Sequence, residues 1–341
     1  MSTRIGLHHD YFTEQQRTIL EHDGITVTAF RYDTGVEALR LQNERGHIIV
    51  LPYLGQMIWD VVFDGRSLTM LNMFDQPRTV DTVVDTYGCF AFHSGLLSNG
   101  CPAPEDTHPL HGEMPCAPMH RAWLDVRAGE VGVGGVYHYV QGFGHHYEAK
   151  PSVTITTDRP RLSIDMAVTN LSKYQPMPLQ YMCHMNYAYV EDARFTQSMD
   201  EEVFHLRDTV PAHVQPTPEW EELNAEIQRG EVDFSTLAEG HRCDPEIVFF
   251  ADDLARHGEV VEFAMHSDEG YAYSTKFATA DFNYATRWLL WNPDQQVAAF
   301  CLPATCRPEG YLAAVARGTL IELAPGATRA FHVDTGVKED S

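Results

Sequence analysis

Between Ala149 and Asn170 the chain alternates apolar and polar residues with a period of two, broken once at Asp158-Arg-Pro. Only a strand puts every second side chain on one face. The stretch therefore predicts two antiparallel strands, Ala149 to Thr157 and Arg161 to Asn170, with Val153 and Ile155 answering Leu162, Ile164 and Met166 on an inward face. Similar runs recur at Ile25-Thr-Val-Thr-Ala-Phe-Arg-Tyr, Val36-Glu-Ala-Leu-Arg-Leu-Gln, His47-Ile-Ile-Val-Leu-Pro and Met57-Ile-Trp-Asp-Val-Val-Phe, the last closed by an Asp64-Gly65 hairpin turn. Further strands are predicted at Pro178 to Val190, Glu246 to Phe250, Val260 to Met265, Tyr271 to Phe277, Arg287 to Trp291 and on to Arg329 to Val333. One segment differs: residues 218–230, Pro218-Glu-Trp-Glu-Glu-Leu-Asn-Ala-Glu-Ile-Gln-Arg-Gly, have helix formers, acids in the first turn and a glycine stop. No internal repeat or low-complexity linker divides the chain. The expectation is an all-β single domain over 1–341, a large antiparallel sandwich of roughly fifteen or more strands with one short helical excursion, because an open sheet that long would splay its edges.

Charge narrows the partners. Lys and Arg number 24 against 48 Asp and Glu, a net charge of −24 that repels phosphate backbones and anionic headgroups, so neither nucleic acid nor a membrane surface is an expected partner. No apolar run approaches the roughly 20 residues that span a bilayer, and the first residues lack a signal-peptide core, which together point to a cytoplasmic location. The seven cysteines are dispersed, with no Cys-x-x-Cys pair; reduced thiols are expected rather than a disulfide framework or thiolate zinc site.

Chemistry concentrates at Thr107-His-Pro-Leu-His-Gly-Glu-Met-Pro. Pro109, Gly112 and Pro115 forbid a helix, so His108, His111 and Glu113 should sit on a stiffened loop. Two imidazoles and a carboxylate on so short a loop suit acid–base work, or surface polarity alone. His93, in the glycine-punctuated segment Tyr87 to Gly100, can be a core histidine or line a pocket. His184 and Asn186 interrupt the apolar strand Leu179-Gln-Tyr-Met-Cys-His-Met-Asn-Tyr and need partners, because an unpaired buried polar group costs on the order of 1–3 kcal/mol.

The order of a His-Gly loop, the hairpin ending at Asn170, a strand carrying His184 followed by Asn186, and a final Pro325-Gly326 turn before a strand resembles the aldose 1-epimerase (galactose mutarotase-like) superfamily over roughly Gly24 to Gly336. The closest likeness is to a divergent, poorly characterised bacterial branch. The resemblance implies a β-supersandwich and acid/base catalysis at the anomeric centre of a free aldose or related sugar, with no cofactor. It assigns His184 as the acid at the ring oxygen and His111 as a partner that contacts sugar hydroxyls. The family's base, a glutamate after a Cys-Leu pair, is replaced here: Pro303 follows Cys301-Leu302. Glu113 and Glu309 are the candidate replacements, Glu113 preferred. His108, His93, Asn186 and Arg307 are candidate sugar-binding residues, and Trp288, Trp291 and Tyr187 could stack on a sugar face. Two alternatives stay open. His108, His111, Glu113 and His184 could hold a divalent metal such as zinc, manganese or nickel for sugar isomerisation or epimerisation, or the chain could bind carbohydrate without catalysis.

Overall fold

The computed structural model describes residues 2–199 and 202–339; the remaining positions of the expected 1–341 domain lie outside the described residues. Two antiparallel sheets form the body. The first has nine strands in the order Thr3–Gly6, Arg121–Arg127, Glu130–Val140, His146–Thr156, Arg161–Asn170, Thr328–Val337, Ala272–Ala278, Val260–His266 and Arg194–Gln197. The second has thirteen, and its middle reads Ile247–Ala251, Tyr284–Trp291, Gln296–Ala304, Met177–Met185, Ala91–Leu96 and Ile58–Phe63.

Period-two patterning places the core between the sheets. In the hairpin His146–Thr156 and Arg161–Asn170, Val153 pairs with Ile164 and Ile155 with Leu162, and all four are buried, as the alternation predicts. From the opposite sheet, Leu179, Tyr181, Cys183 and Met185 of Met177–Met185 join the same core, and the Tyr181 ring lies 5.0 Å from Phe331 of the nine-stranded sheet. Each such side chain stabilises by roughly 1.5–3 kcal/mol on burial, and truncating one, as in Ile155→Ala, would cost about 2–5 kcal/mol. The alternate residues Met182 and His184 therefore point out of the back of the larger sheet, where a second apolar cluster that includes Trp59, Cys89 and Phe92 builds up that face.

The expected helix is present at Pro218–Gln228. Thr217 caps it by accepting the Trp220 N–H, Pro218 opens it, and Leu223 is its buried residue. Trp220 Nε1 donates to the Glu246 carbonyl at 2.6 Å, so the helical excursion pins the start of the Ile247–Ala251 strand.

A second helix, Tyr311–Arg317, corrects the expectation of a single excursion. Its local sequence lacks a capping side chain, since Gly310 precedes it. The caps come instead from a distant loop: Asp106 Oδ1 accepts the Leu312 N–H at 3.1 Å and His108 Nε2 accepts that of Tyr311 at 3.3 Å. Among the described residues no helix is long and apolar enough to cross a membrane.

Candidate active site

A cavity of about 420 Å³ opens on the outer face of the larger sheet, in the range typical of small-molecule sites. Its walls are mainly apolar, with Met182, Trp288, Leu290 and Leu302 among them, and its polar groups come from segments far apart in sequence. His184 enters from the centre of Met177–Met185. It stacks on Phe92 of the neighbouring strand, with ring centroids 4.4 Å apart and planes 15° from parallel. Its Nε2 hydrogen-bonds the Tyr87 hydroxyl at 3.2 Å, while Nδ1 is buried without a hydrogen-bond partner.

His111 reaches the same cavity from the Thr107–Pro115 loop, its ring 4.8 Å from that of His184. The backbone is arranged to bring it there. His111 has φ 63 and Gly112 φ 77, two consecutive left-handed residues, the first costing a β-carbon-bearing residue roughly 1–2 kcal/mol. Gly112 is required, because a β-carbon would lie 2.3 Å from the Ser98 carbonyl oxygen. Ser94 donates to Asn99 Oδ1 at 2.6 Å and thus accepts from His111 Nδ1–H at 3.0 Å, leaving the Nε2 lone pair unclaimed.

Burial sets both charge states. Desolvation lowers His184 to about 3, opposed by the smaller effect of Asn186. His111 is held well below the usual imidazole range, by desolvation first and then by the charge of His184, His213 and His108. Both rings are neutral near pH 7, so His184, expected as the acid at the ring oxygen, is an imidazole and not an imidazolium there.

Of the two acidic residues that line the cavity, Asp244 and Glu246, the second stands at the head of the Ile247–Ala251 strand. Its Oε2 accepts the Trp288 indole N–H at 2.8 Å and its Oε1 faces His213 Nε2 at 3.6 Å. Hydrogen bonding to Cys101, and then to Glu246, raises His213 to about 10. Arg207 also lines the cavity, its Nε donating to Thr209 Oγ1 at 2.8 Å. Sequence reading missed Glu246, His213 and Arg207. The available signal was Asp244-Pro245-Glu246, a polar pair placed by a proline at the start of an apolar strand.

Several expected site residues lie elsewhere. Glu113 is absent from the cavity wall. Its Oε1 accepts from the backbone N–H of Leu96 at 3.0 Å, that of Leu97 at 2.9 Å and the Tyr147 hydroxyl at 2.7 Å, so it ties the loop to the core. Glu309 is buried and engaged by Thr209 Oγ1 and Arg317 Nη2. Arg307 pairs in a two-pronged contact with Asp252. His108 caps the second helix and its Nδ1 donates to the Pro109 carbonyl. His93 points into the core, bonded to the Tyr181 hydroxyl at 2.8 Å, and desolvation lowers it to about 4. Asn186 donates to the Cys89 carbonyl and is fully buried. Alternation along each strand explains the two strand histidines: His93 and Cys183 face inward opposite each other, and Phe92 and His184 face outward. The metal set does not converge, because only His111 and His184 of the four line the cavity, and among the described residues no group of three or more His, Cys, Asp or Glu side chains could hold a metal ion. Trp288 lines the cavity, whereas Tyr187 is a core residue bonded to Thr335.

A family model described as "Domain of unknown function (DUF4432)" matches residues 33–337. No curated protein sequence matches significantly. Among solved structures, a Klebsiella pneumoniae protein provisionally named an aldose 1-epimerase superposes with a TM-score of 0.79 at 15% identity, covering 100% of this chain and 92% of that one. A galactose mutarotase-like protein of Clostridium acetobutylicum gives 0.58 at 13% identity, over 93% of this chain and 99% of that one. Galactose 1-epimerase of Lactobacillus acidophilus gives 0.53 at 11% identity, over 96% and 99%. At these identities the likeness is one of fold, and the fold is the galactose mutarotase-like β-sandwich.

Proposed function

The chain belongs to the family described as "Domain of unknown function (DUF4432)", and on that footing we propose that it is a carbohydrate-active enzyme that interconverts the anomers of a free aldose or related sugar by acid–base catalysis. One observation carries the reading: two facing histidines, His111 and His184, share a cavity with a carboxylate held in place by Trp288 and His213.

Anomer exchange needs a donor at the ring oxygen and an acceptor at the anomeric hydroxyl. Glu246 takes the anomeric proton. A neutral His184 donates its Nε2–H to the ring oxygen in exchange for the Tyr87 hydroxyl, acting as an imidazole electrophile rather than an imidazolium acid. As the bond between the anomeric carbon and the ring oxygen breaks, the ring oxygen takes the His184 N–H proton, so the open-chain aldehyde forms beside an imidazolate and a protonated Glu246, and re-closure returns both protons. Rotation about the next carbon–carbon bond and the reverse steps give the other anomer. His111 Nε2 accepts a hydrogen bond from a sugar hydroxyl, and Trp288 offers an apolar face to the ring's C–H groups. The scheme calls on no cofactor.

A second reading, carbohydrate binding without catalysis, is favoured by the strand Gln296–Ala304, which sends the apolar Leu302 into the cavity and has Pro303 where the related enzymes' base is expected. Magnetisation exchange between α and β anomers, measured by proton NMR over a panel of free aldoses, separates the two. The enzyme reading expects accelerated exchange for at least one sugar. Saturable binding of a sugar with exchange at the solvent rate overturns it in favour of binding alone.

A further inference from the structure

Arg207 is the one guanidinium among the described residues that line the cavity, and no carboxylate among them pairs with it. Its neighbours differ: Arg307 is committed to Asp252, Arg317 to Glu309, and Arg287 is buried against the Phe234 and Phe300 carbonyls. Arg207 is nonetheless held in place. Its backbone N–H donates to the Val248 carbonyl at 2.8 Å, which sets it beside the Ile247–Ala251 strand, and its guanidinium carbon stands 5.8 Å from the Phe250 ring centroid. Its Nε donates to Thr209 Oγ1 at 2.8 Å. That hydroxyl gives its single proton to Glu309 Oε1 at 2.8 Å, so toward Arg207 it can only accept. Glu309 is buried in turn, and its other oxygen accepts from Arg317 Nη2 at 3.1 Å. The relay uses Nε alone. It orients the guanidinium and leaves both Nη groups without a partner among the described residues. A planar fork fixed at its base and open at its tip fits the two oxygens of a carboxylate.

We propose that Arg207 anchors a carboxylate on the sugar, so that the cavity takes a uronate, an aldose whose terminal carbon is a carboxylate, in preference to its neutral counterpart. The inference rests on the reading of this cavity as a sugar site given above. Glu246 and Val248 line the same wall two residues apart on one strand, a separation of roughly 7 Å, and Arg207 lies beside Val248. One sugar ring with its exocyclic carbon therefore reaches from the group assigned to the anomeric hydroxyl to the guanidinium. Charge selects among anions. Glu246 is engaged by Trp288 and His213, and Asp244 Oδ1 accepts from Asn292 Nδ2 at 3.5 Å. One open guanidinium matches one negative charge, whereas a phosphate ester carries about −1.5 to −2 into a cavity that already holds two carboxylates. Thr209 and Glu309 act here as positioning residues, through Arg207.

Calorimetric titration of the intact chain at neutral pH and low salt, with D-glucuronate against D-glucose and D-galacturonate against D-galactose, reads the preference as a ratio of affinities. At least one uronate should bind about 10-fold or more tighter than its neutral partner, as a charge-assisted two-pronged contact provides. Arg207→Gln, which has neither the charge nor the fork, should bring that ratio down to about 1. Thr209→Val removes the acceptor for Nε and should lower the ratio about threefold or more. Thr209→Ser restores a hydroxyl and should recover it, a rescue that a merely structural role would not give. The proposal is overturned if neither uronate binds tighter than its partner, if the preference survives Arg207→Gln, or if D-glucose 6-phosphate binds tighter than D-glucuronate. Binding and turnover are read separately. A preferred uronate whose anomers exchange at the solvent rate leaves this proposal standing and counts against catalysis, and accelerated exchange of neutral aldoses without a uronate preference does the reverse.

Discussion

Replacing Glu113 should loosen the fold rather than abolish chemistry. Its Oε1 collects three donors, and the residues that supply two of them, Leu96 and Tyr147, are fully buried. Glu113→Ala leaves the Leu96 N–H and the Tyr147 hydroxyl without an acceptor. At about 1–3 kcal/mol per orphaned buried donor, the cost is roughly 2–6 kcal/mol, while the Leu97 N–H, in a partly exposed residue, can turn to water. Glu113→Gln keeps a carbonyl oxygen in place and forfeits only the charge-assisted part of each bond, roughly 1–3 kcal/mol in all. Equilibrium urea unfolding followed by tryptophan fluorescence gives both numbers, and anomer exchange per mole of folded protein gives the catalytic effect. The order of stability should be wild type, then Gln, then Ala, with exchange by the folded Gln variant within about threefold of wild type. Unchanged stability for Glu113→Gln, combined with a hundredfold loss of exchange, would refute the reasoning and return Glu113 to the chemistry.

Glu246→Gln removes the group assigned to take the anomeric proton and should lower anomer exchange about 10²–10⁴-fold by NMR, with sugar binding by calorimetry largely kept. Stability should fall with acid. His93 and His184 have folded pKa values of about 4 and about 3, below the unfolded value near 6.5, so the unfolded chain takes up their protons first. Their contribution is full above about pH 6.5 and is lost as pH falls toward those folded values, roughly 2 kcal/mol per histidine between pH 7 and pH 5. Urea midpoints at the two pH values check this, and His93→Gln should flatten the dependence. Gly112→Ala meets both a left-handed backbone and the Ser98 carbonyl, so a loss of at least about 2 kcal/mol is expected, with sugar affinity falling as His111 shifts. Thermal unfolding and calorimetry measure the two effects.

The strand pattern could be read directly because it rests on a local rule: alternation fixes which side chains share a face, and Val153 opposite Ile164 follows from that alone. The helix at Pro218–Gln228 was equally local, with its cap, proline and acids adjacent in sequence. Tyr311–Arg317 was not, since Asp106 and His108 cap it from about two hundred residues away. The site divides along the same line. His184 and His111 stood out as polar residues in apolar or stiffened surroundings, a property of their neighbours in the chain. Whether a carboxylate faces the cavity or the loop behind it depends on which strands become neighbours. Glu113 is turned toward Tyr147, and Glu246 is brought beside Trp288 by pairing of Ile247–Ala251 with Tyr284–Trp291. The protonation of the two histidines likewise came from tertiary structure, because desolvation is a property of the packed molecule and of no segment within it.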